Sequence, residues 1–237
     1  MRHHALFAAL LASAVASTWA ARPLRASPPD QSGDDKPPPK PSGPSADQIA
    51  ARVQAFYDQT KTFQAAFKQD YYIKLHDKRE TSEGQVAFEK PGKMSWKYSL
   101  PNGNRVVSDG QVLKVYQPAM QQMFVQPVAK SQYPAALSFL MGLGKLTDSF
   151  TLRVLEPGSV KFEGGWVLEG TPKEATPAYQ KVLLYVDGAT SQVRRVLILD
   201  AQGNRNRFDF ENPLVNTPIP PTEFSFTPPS GTQIVKP

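Results

Sequence analysis

The chain has 237 residues, of which 40% are hydrophobic and 20% charged, and its formal net charge is +6 at pH 7. It contains no cysteine, which excludes disulfides, thiol catalysis and a lipid attached to an N-terminal cysteine. The mildly basic balance suits an anionic membrane surface or an acidic partner, and no block of Lys and Arg interleaved with aromatics indicates nucleic-acid binding.

Residues 1–20 predict a secretory signal peptide. A short basic start precedes an almost entirely apolar run over residues 5–16, and small residues then suit cleavage after Ala20, or after Ala21 or Ala26. The apolar run is too short to span a bilayer. We therefore expect an exported protein that works in the periplasm.

Residues 21–44 are dominated by Pro, Ser, Gly and charged side chains. Such a segment cannot bury enough apolar surface to offset its conformational entropy, so it is predicted to be a disordered tether. The remaining residues, 45–237, are enough for one domain of ordinary size with a sizeable core.

An amphipathic helix is predicted at the start of this domain. Ser45 and Gln48 have the spacing of a capping box, in which each side chain bonds the backbone N–H of the other residue. The apolar positions that follow at helical spacing are Ile49, Val53, Phe56 and Tyr57. One face of the helix should therefore lie against an apolar surface.

Beyond the helix, apolar and polar residues alternate as they do in strands. In the first strand one side is mostly apolar, and its members are Phe63, Ala65, Phe67, Gln69, Tyr71, Ile73 and Leu75. Similar runs follow at 86–88, 94–98, 112–116, 150–155, 166–171, 182–186, 193–199 and 208–210. Turn signals separate the runs, so about 10–11 strands without intervening helices predict an antiparallel sandwich or barrel.

One segment breaks this pattern, at Tyr133–Leu146 (YPAALSFLMGLGKL). Proline near the start and glycines near the end predict a short helix that is apolar on every side. Such a helix must be buried or must face another apolar surface. Composition leaves two alternatives open, an ordinary core helix or a lid over the mouth of a cavity.

Enzymatic chemistry is not indicated. After the predicted signal peptide the one histidine is His76, in a polar stretch that is typical of a loop. One histidine and no cysteine cannot build a Ser-His-Asp, thiol or zinc site in any ordinary way, and no phosphate-binding glycine loop is present. We therefore predict no catalytic residue, no metal and no cofactor, although acids paired by the fold would escape this reasoning.

Several local patterns, taken together, resemble the outer-membrane lipoprotein carrier family, LolA. They span nearly the whole predicted domain, in the family's order, and include the Pro-led apolar segment where that family has a lid helix. The other four are 63–69 (FQAAFKQ), 84–96 (GQVAFEKPGKMSW), 107–118 with its SDG turn, and 224–231 (FSFTPPSG).

This resemblance implies an unclosed antiparallel barrel covered by the N-terminal helix and a lid helix at Tyr133–Leu146. It also implies a soluble, monomeric carrier whose apolar cavity binds the acyl chains of lipoproteins. Candidate lining residues are Phe67, Phe88, Met94, Trp96, Leu137, Phe139, Leu140 and Met141. Methionines such as Met94, Met123 and Met141 suit a cavity that changes shape, although every one of these residues also fits an ordinary core.

Two residues depart from the family pattern. Lys90 stands where the family usually has an arginine that resembles a latch on the lid backbone, and lysine keeps the charge but lacks the planar fork of donors. It is a candidate latch, or else a solvated residue at a strand end. Lys114 stands where relatives often have an aromatic, which matters little if the side chain faces outward.

The partners that the resemblance implies are acylated lipoproteins, an inner-membrane ABC-type lipoprotein-releasing transporter and an outer-membrane receptor or the membrane itself. Two other functions fit the sequence. One is an envelope protein that binds a different lipid, such as a glycolipid. The other is a structural adaptor whose sheet is packed solid. An apolar interior that accepts ligand would distinguish both lipid-binding functions from the adaptor.

Overall fold

The computed structural model describes residues 43–130, 144–156 and 160–236. The predicted signal peptide and almost all of the predicted tether lie outside these residues. So does the predicted apolar helix up to residue 143. No helix within the described ranges is long and apolar enough to cross a membrane.

The N-terminal helix, α1 (Ala46–Asp58), begins with the predicted capping box. Gln48 N–H donates to Ser45 Oγ at 3.2 Å, and Ser45 N–H donates to Gln48 Oε1 at 2.9 Å. Both otherwise unpaired amides of the first turn are thereby satisfied. The buried residues of α1 lie on the predicted face and are Ile49, Ala50, Val53 and Tyr57.

Twelve strands form one sheet in the order β12-β6-β5-β4-β3-β2-β1-β11-β10-β9-β8-β7. Their bounds are β1 Thr62–Ile73, β2 Lys78–Glu89, β3 Lys93–Tyr98, β4 Arg105–Asp109, β5 Val112–Gln117, β6 Gln122–Pro127, β7 Phe150–Val154, β8 Gly165–Pro172, β9 Lys181–Asp187, β10 Val193–Leu199, β11 Arg205–Val215 and β12 Gln233–Val235. Neighbouring strands are antiparallel except β12, which pairs parallel with β6. The sheet is unclosed, because β7 and β12 form its two edges.

The predicted fold class, mainly β with an unclosed sheet, an N-terminal helix and a mid-chain helix, is confirmed. The described mid-chain helix is α2 (Leu146–Ser149), immediately before β7. Helix α1 contacts α2, β7 and β8, and we call the side of the sheet that it covers the inner face. The strand number is slightly above the prediction because short strands such as β12 carry too few residues for alternation to reveal them.

The predicted first strand is too long at its end. Leu75 continues the alternation of β1 in the sequence, but the chain turns at Lys74–His76, and Leu75 is 84% exposed. Two features mark the turn. Asp77 adopts a left-handed backbone with φ of 45°, and the Lys74 N–H donates to Asn204 Oδ1 at 2.9 Å.

The opposite side of the sheet, the outer face, is covered by the C-terminal segment that precedes β12. Phe224 is buried against Ala87 and Ile219, and the Phe226 ring lies 5.1 Å from that of Tyr116. Lys114 is on this face, where its Nζ donates to the Phe226 carbonyl at 3.0 Å. The Lys114 side chain therefore faces outward, which is the case in which its departure from the family pattern matters little.

Candidate functional site

The inner face carries one large buried apolar cluster. Its members come from α1, α2 and the sheet from β1 through β5 and β7 through β11. The four strand residues predicted to line a cavity, Phe67, Phe88, Met94 and Trp96, all belong to it and are each 1–2% exposed. The structure thus brings these four side chains together at the centre of the inner face, packed against their neighbours.

Trp96 lies at the middle of the aromatic part of this cluster. Its ring centroid is 4.9 Å from Phe67, 6.0 Å from Phe88 and 5.1 Å from Phe208, mostly in edge-to-face geometry. Its buried indole Nε1 has no hydrogen-bond acceptor among the described residues. Among the described residues, the Trp96 side chain is therefore held by packing against its neighbours.

The aromatic cluster requires a strand position without a side chain. Gly84 of β2 pairs with Phe67 of β1 and with Tyr98 of β3, whose ring centroids are 5.0 Å apart. A Cβ on Gly84 would lie 2.0 Å from the Lys97 carbonyl oxygen and 3.0 Å from the Phe67 ring. The glycine that opens segment 84–96 is therefore a packing requirement of the inner face.

Sequence reasoning missed the aromatics that β11 adds to the site. Phe208 and Phe210 are both buried in the cluster, and Phe210 is 6.0 Å from Phe63. The alternation Phe208-Asp209-Phe210 indicated a strand, but nothing local showed that this strand pairs with β1. That pairing joins residues such as Phe67 and Phe210 across the chain.

Towards the end of the sheet where β1 and β2 turn, the inner face becomes polar. Gln69 is buried, and its Nε2 donates to Asn206 Oδ1 at 2.8 Å. Tyr98 lies beside Phe67 at the last position of β3, and burial raises the pKa of its hydroxyl far above the usual range. The site therefore grades from aromatic at Trp96 to amide and hydroxyl groups at one end.

Helix α1 closes over the other end of the cluster. Tyr57, in its last turn, is fully buried, and its hydroxyl oxygen accepts the Val193 N–H at 3.2 Å. Burial raises the pKa of Tyr57 far above its ordinary value, although the Val193 contact opposes the shift. The helix is thus fixed to β10 through a hydrogen bond as well as through apolar packing.

Lys90, the candidate latch, contacts this same helix end. Its Nζ donates to the backbone carbonyl of Tyr57. The C-terminal end of a helix carries a partial negative charge, which favours a cation at this position. Burial lowers the pKa of the Lys90 ammonium, and the nearby Asp58 carboxylate opposes that shift. Lys90 therefore ties the end of β2 to α1, and a contact with the predicted lid is untested because residues 131–143 lie outside the described ranges.

The remaining predicted residues lie in three places. Leu137, Phe139, Leu140 and Met141 are outside the described residues. Met123 is buried on β6, apart from the main cluster. His76 lies in the exposed turn between β1 and β2, and the part of the chain that the structure describes contains no group of three or more metal-ligating side chains.

The fold and the site together define a class of open-sheet proteins that keep an aromatic inner face under a helical cover. Within this class, the chain belongs to the family of the outer-membrane lipoprotein carrier protein LolA, which residues 58–227 match. This confirms the resemblance seen in the sequence.

Curated relatives and a solved structure agree with that membership. An outer-membrane lipoprotein carrier protein from Alkalilimnicola ehrlichii is 30% identical over 195 residues, covering 81% of this chain and 86% of the relative. One from Dechloromonas aromatica is 29% identical over 180 residues, covering 76% and 84%. An uncharacterized conserved protein from Thermus thermophilus shares the fold, with a TM-score of 0.52 at 16% identity over 81% of this chain and 99% of that one.

Proposed function

We propose that this protein carries acylated lipoproteins through the periplasm, from an inner-membrane ABC-type transporter towards the outer membrane, without catalysing a reaction. Export would depend on the predicted signal peptide. The observation that carries the proposal is the continuous aromatic and aliphatic layer of the inner face, with Trp96 at its centre. The family to which the chain belongs, and the names of its relatives, support the choice of lipoprotein as cargo.

The physical task of such a carrier is to replace water around acyl chains. Burying a chain is favourable by about 0.8 kcal/mol per CH₂ group, or roughly 10 kcal/mol for one long chain. The free energy with which a carrier binds an acyl chain must nearly match this value. It must not exceed it, because the cargo has to leave again. An apolar face that is already covered by the protein's own groups meets this condition, since opening the cover costs part of the free energy of binding.

Phe67, Phe88, Met94 and Trp96 are proposed to contact the acyl chains after α1 or the lid moves away. In the described structure they are packed on each other, so cargo would exchange for these contacts rather than enter an empty space. Four lid residues would complete the lining, namely Leu137, Phe139, Leu140 and Met141. Aromatic and methionine side chains suit this exchange because their contacts are non-directional and adaptable.

Lys90 is proposed to latch the closed state through the Tyr57 carbonyl. Because this bond joins β2 to α1, its loss should make opening of the helical cover easier. The ammonium supplies one strong contact, whereas an arginine could hold two carbonyls at once. The closed, empty state should therefore be less stable in this chain than it would be with an arginine latch, and cargo should be held more tightly.

The decisive experiment measures binding of the apolar dye bis-ANS and its displacement by a triacylated peptide. Displacement by the acylated peptide, and none by the same peptide without acyl chains, is the expected result. Displacement by a glycolipid alone would instead identify the alternative cargo. A folded protein that binds neither dye nor lipopeptide would contradict the carrier and favour the structural adaptor.

The same assay tests the latch and the lining. Trp96→Ala should lower affinity for the triacylated peptide. Lys90→Met should raise that affinity, because it weakens the closed state, whereas Lys90→Arg should lower it. Lys97→Met is the matched control, because Lys97 lies on the neighbouring strand with an exposed side chain. Equal peptide affinities for all three lysine variants would rule out Lys90 as a latch.

A further inference from the structure

Large apolar side chains are exposed at one end of the sheet. Of the five such side chains among the described residues, three lie at the turns of successive hairpins. Leu75 is 84% exposed between β1 and β2, Leu100 is 87% exposed between β3 and β4, and Met120 is 43% exposed between β5 and β6. We call these three the tip residues. Turns usually carry Gly, Pro, Asn, Asp or Ser, so three consecutive apolar tips need a physical reason.

The three turns project in the same direction. Strands β1 to β6 are consecutive antiparallel neighbours, so the turns that follow β1, β3 and β5 all lie at the same end of the sheet. The β10–β11 turn joins them there through the bond from the Lys74 N–H to Asn204. The tip residues therefore lie together at one end of the strands, away from the helical cover of the inner face. We call this end the tip edge, as distinct from the edge strands β7 and β12.

Hydrogen bonds hold these tips in their exposed positions. Asp77 Oδ1 accepts from the Tyr72 hydroxyl at 2.9 Å, and its N–H donates to the Lys74 carbonyl at 3.2 Å. In the β5–β6 turn, the Gln121 N–H donates in the same way to Pro118 at 3.1 Å. These hydrogen bonds fix the backbone of the turns, so the turns that carry Leu75 and Met120 cannot fold back onto the sheet without breaking the bonds.

Exposed basic side chains surround the first tip residue, Leu75. Lys74, His76, Lys78 and Arg79 follow one another at the first turn, and Arg205 begins β11 beside it. The acids at the same end of the sheet are Asp70, Asp77, Glu80 and Asp200; Asp77 accepts from the Tyr72 hydroxyl, and Asp200 accepts within its own turn. Lys78 and Arg79 also pair with Glu80 and Asp70, and they stay more than half exposed. Long basic side chains can reach lipid headgroups while leucines enter the layer below.

We propose that the tip edge docks the protein on the surface of an anionic phospholipid bilayer, with Leu75 and Leu100 inserted among the headgroups. The tips are single side chains on separate turns, an arrangement that suits a fluid layer better than one shaped pocket of a protein partner. Basic side chains beside exposed apolar ones are the combination that anionic interfaces bind. This inference does not depend on cargo, because the empty protein presents the same edge.

The test is flotation of the protein, in the form that the cell exports, with vesicles of phosphatidylethanolamine and phosphatidylglycerol. Leu75→Ser and Leu100→Ser should each lower the vesicle partition coefficient about fivefold, and the double variant should combine both losses. Lys74→Gln should lower partition about fivefold for these vesicles and leave the weaker partition into phosphatidylcholine vesicles unchanged.

Leu214→Ser provides the matched control. Leu214 is 54% exposed, but it lies near the end of β11, opposite Gln64 and at the other end of the sheet. Its partition should equal that of the unaltered protein. A protein that does not float with anionic vesicles, or tip variants that float as well as Leu214→Ser, would overturn the proposal. Lipopeptide binding by the same variants should be unchanged, so failure of the carrier function and failure of docking are separately visible.

Discussion

The side chains on the two faces of the sheet make different kinds of contact. None of the ion pairs among the described residues involves a member of the inner cluster, where rings pack on rings. On the outer face, Ser95 Oγ donates to Glu223 at 2.6 Å, and Arg105 lies 3.5 Å from the same carboxylate. Apolar contacts have no preferred direction and can be exchanged for an acyl chain. Directional contacts cannot be exchanged in this way, so the outer cover should stay in place when the inner cover opens.

The largest expected effect comes from removing one ring on each face. Phe67→Ala should lower the free energy of unfolding by about 3–5 kcal/mol, because Phe67 is buried among the rings of Trp96, Tyr98 and Phe208. Phe224→Ala should cost less, about 2–3 kcal/mol, because the C-terminal segment above it can settle into the space. Urea unfolding of the two variants measures both values. If Phe224→Ala cost as much as Phe67→Ala, the outer cover would be as much a part of the core as the inner face is.

A smaller loss is expected at Gly84. Gly84→Ala should destabilise the protein by about 1–3 kcal/mol, because the added methyl group must push β2 away from the Lys97 carbonyl. Thermal unfolding measures the change. Gly43→Ala is the control, since a Cβ at Gly43 would meet nothing within 4 Å. Equal stability of the two variants would mean that the inner face is loosely packed at this position.

The same contrast explains how much the sequence could predict. The inner face was predictable at Phe67 and Trp96, because alternation along one strand shows which residues share a face. Alternation alone carried the first strand too far, to Leu75, and no local pattern shows the bond that joins the turn to Asn204, 130 residues away. The outer cover was recognisable as the motif 224–231, but its contact with Ser95 was not, because no local pattern joins residues 128 positions apart. Contacts that follow from a local residue pattern can be predicted from the sequence, whereas contacts between residues that only the strand order brings together cannot.

The smallest expected effect concerns the ion pairs of Glu169, on the outer face of β8. Leu168 faces the inner cluster, so Glu169 points outward, where its Oε1 accepts from Arg153 at 2.8 Å and from Lys181 at 3.2 Å. The hydrogen bond from Arg153 is the main cause that lowers the pKa of the Glu169 carboxyl, and burial opposes it. A lowered carboxyl pKa means that the unfolded chain takes up the proton first. The stabilisation is therefore complete above the ordinary value of 4.5 and is lost as the pH falls through the lowered pKa.

Glu169→Gln should remove that part of the acid sensitivity. Its size should stay below about 1 kcal/mol, because the side chains of Arg153 and Lys181 are 65% and 45% exposed and solvent screens the pair. Urea midpoints measured from neutral pH to below the ordinary carboxyl pKa should converge for the two proteins as the pH falls. Glu211→Gln, which removes an ion pair with both partners more than 40% exposed, is the control and should change the midpoint less. A constant gap at every pH would mean that Glu169 acts by packing, and the outer face would then be held by the same non-directional contacts as the inner one.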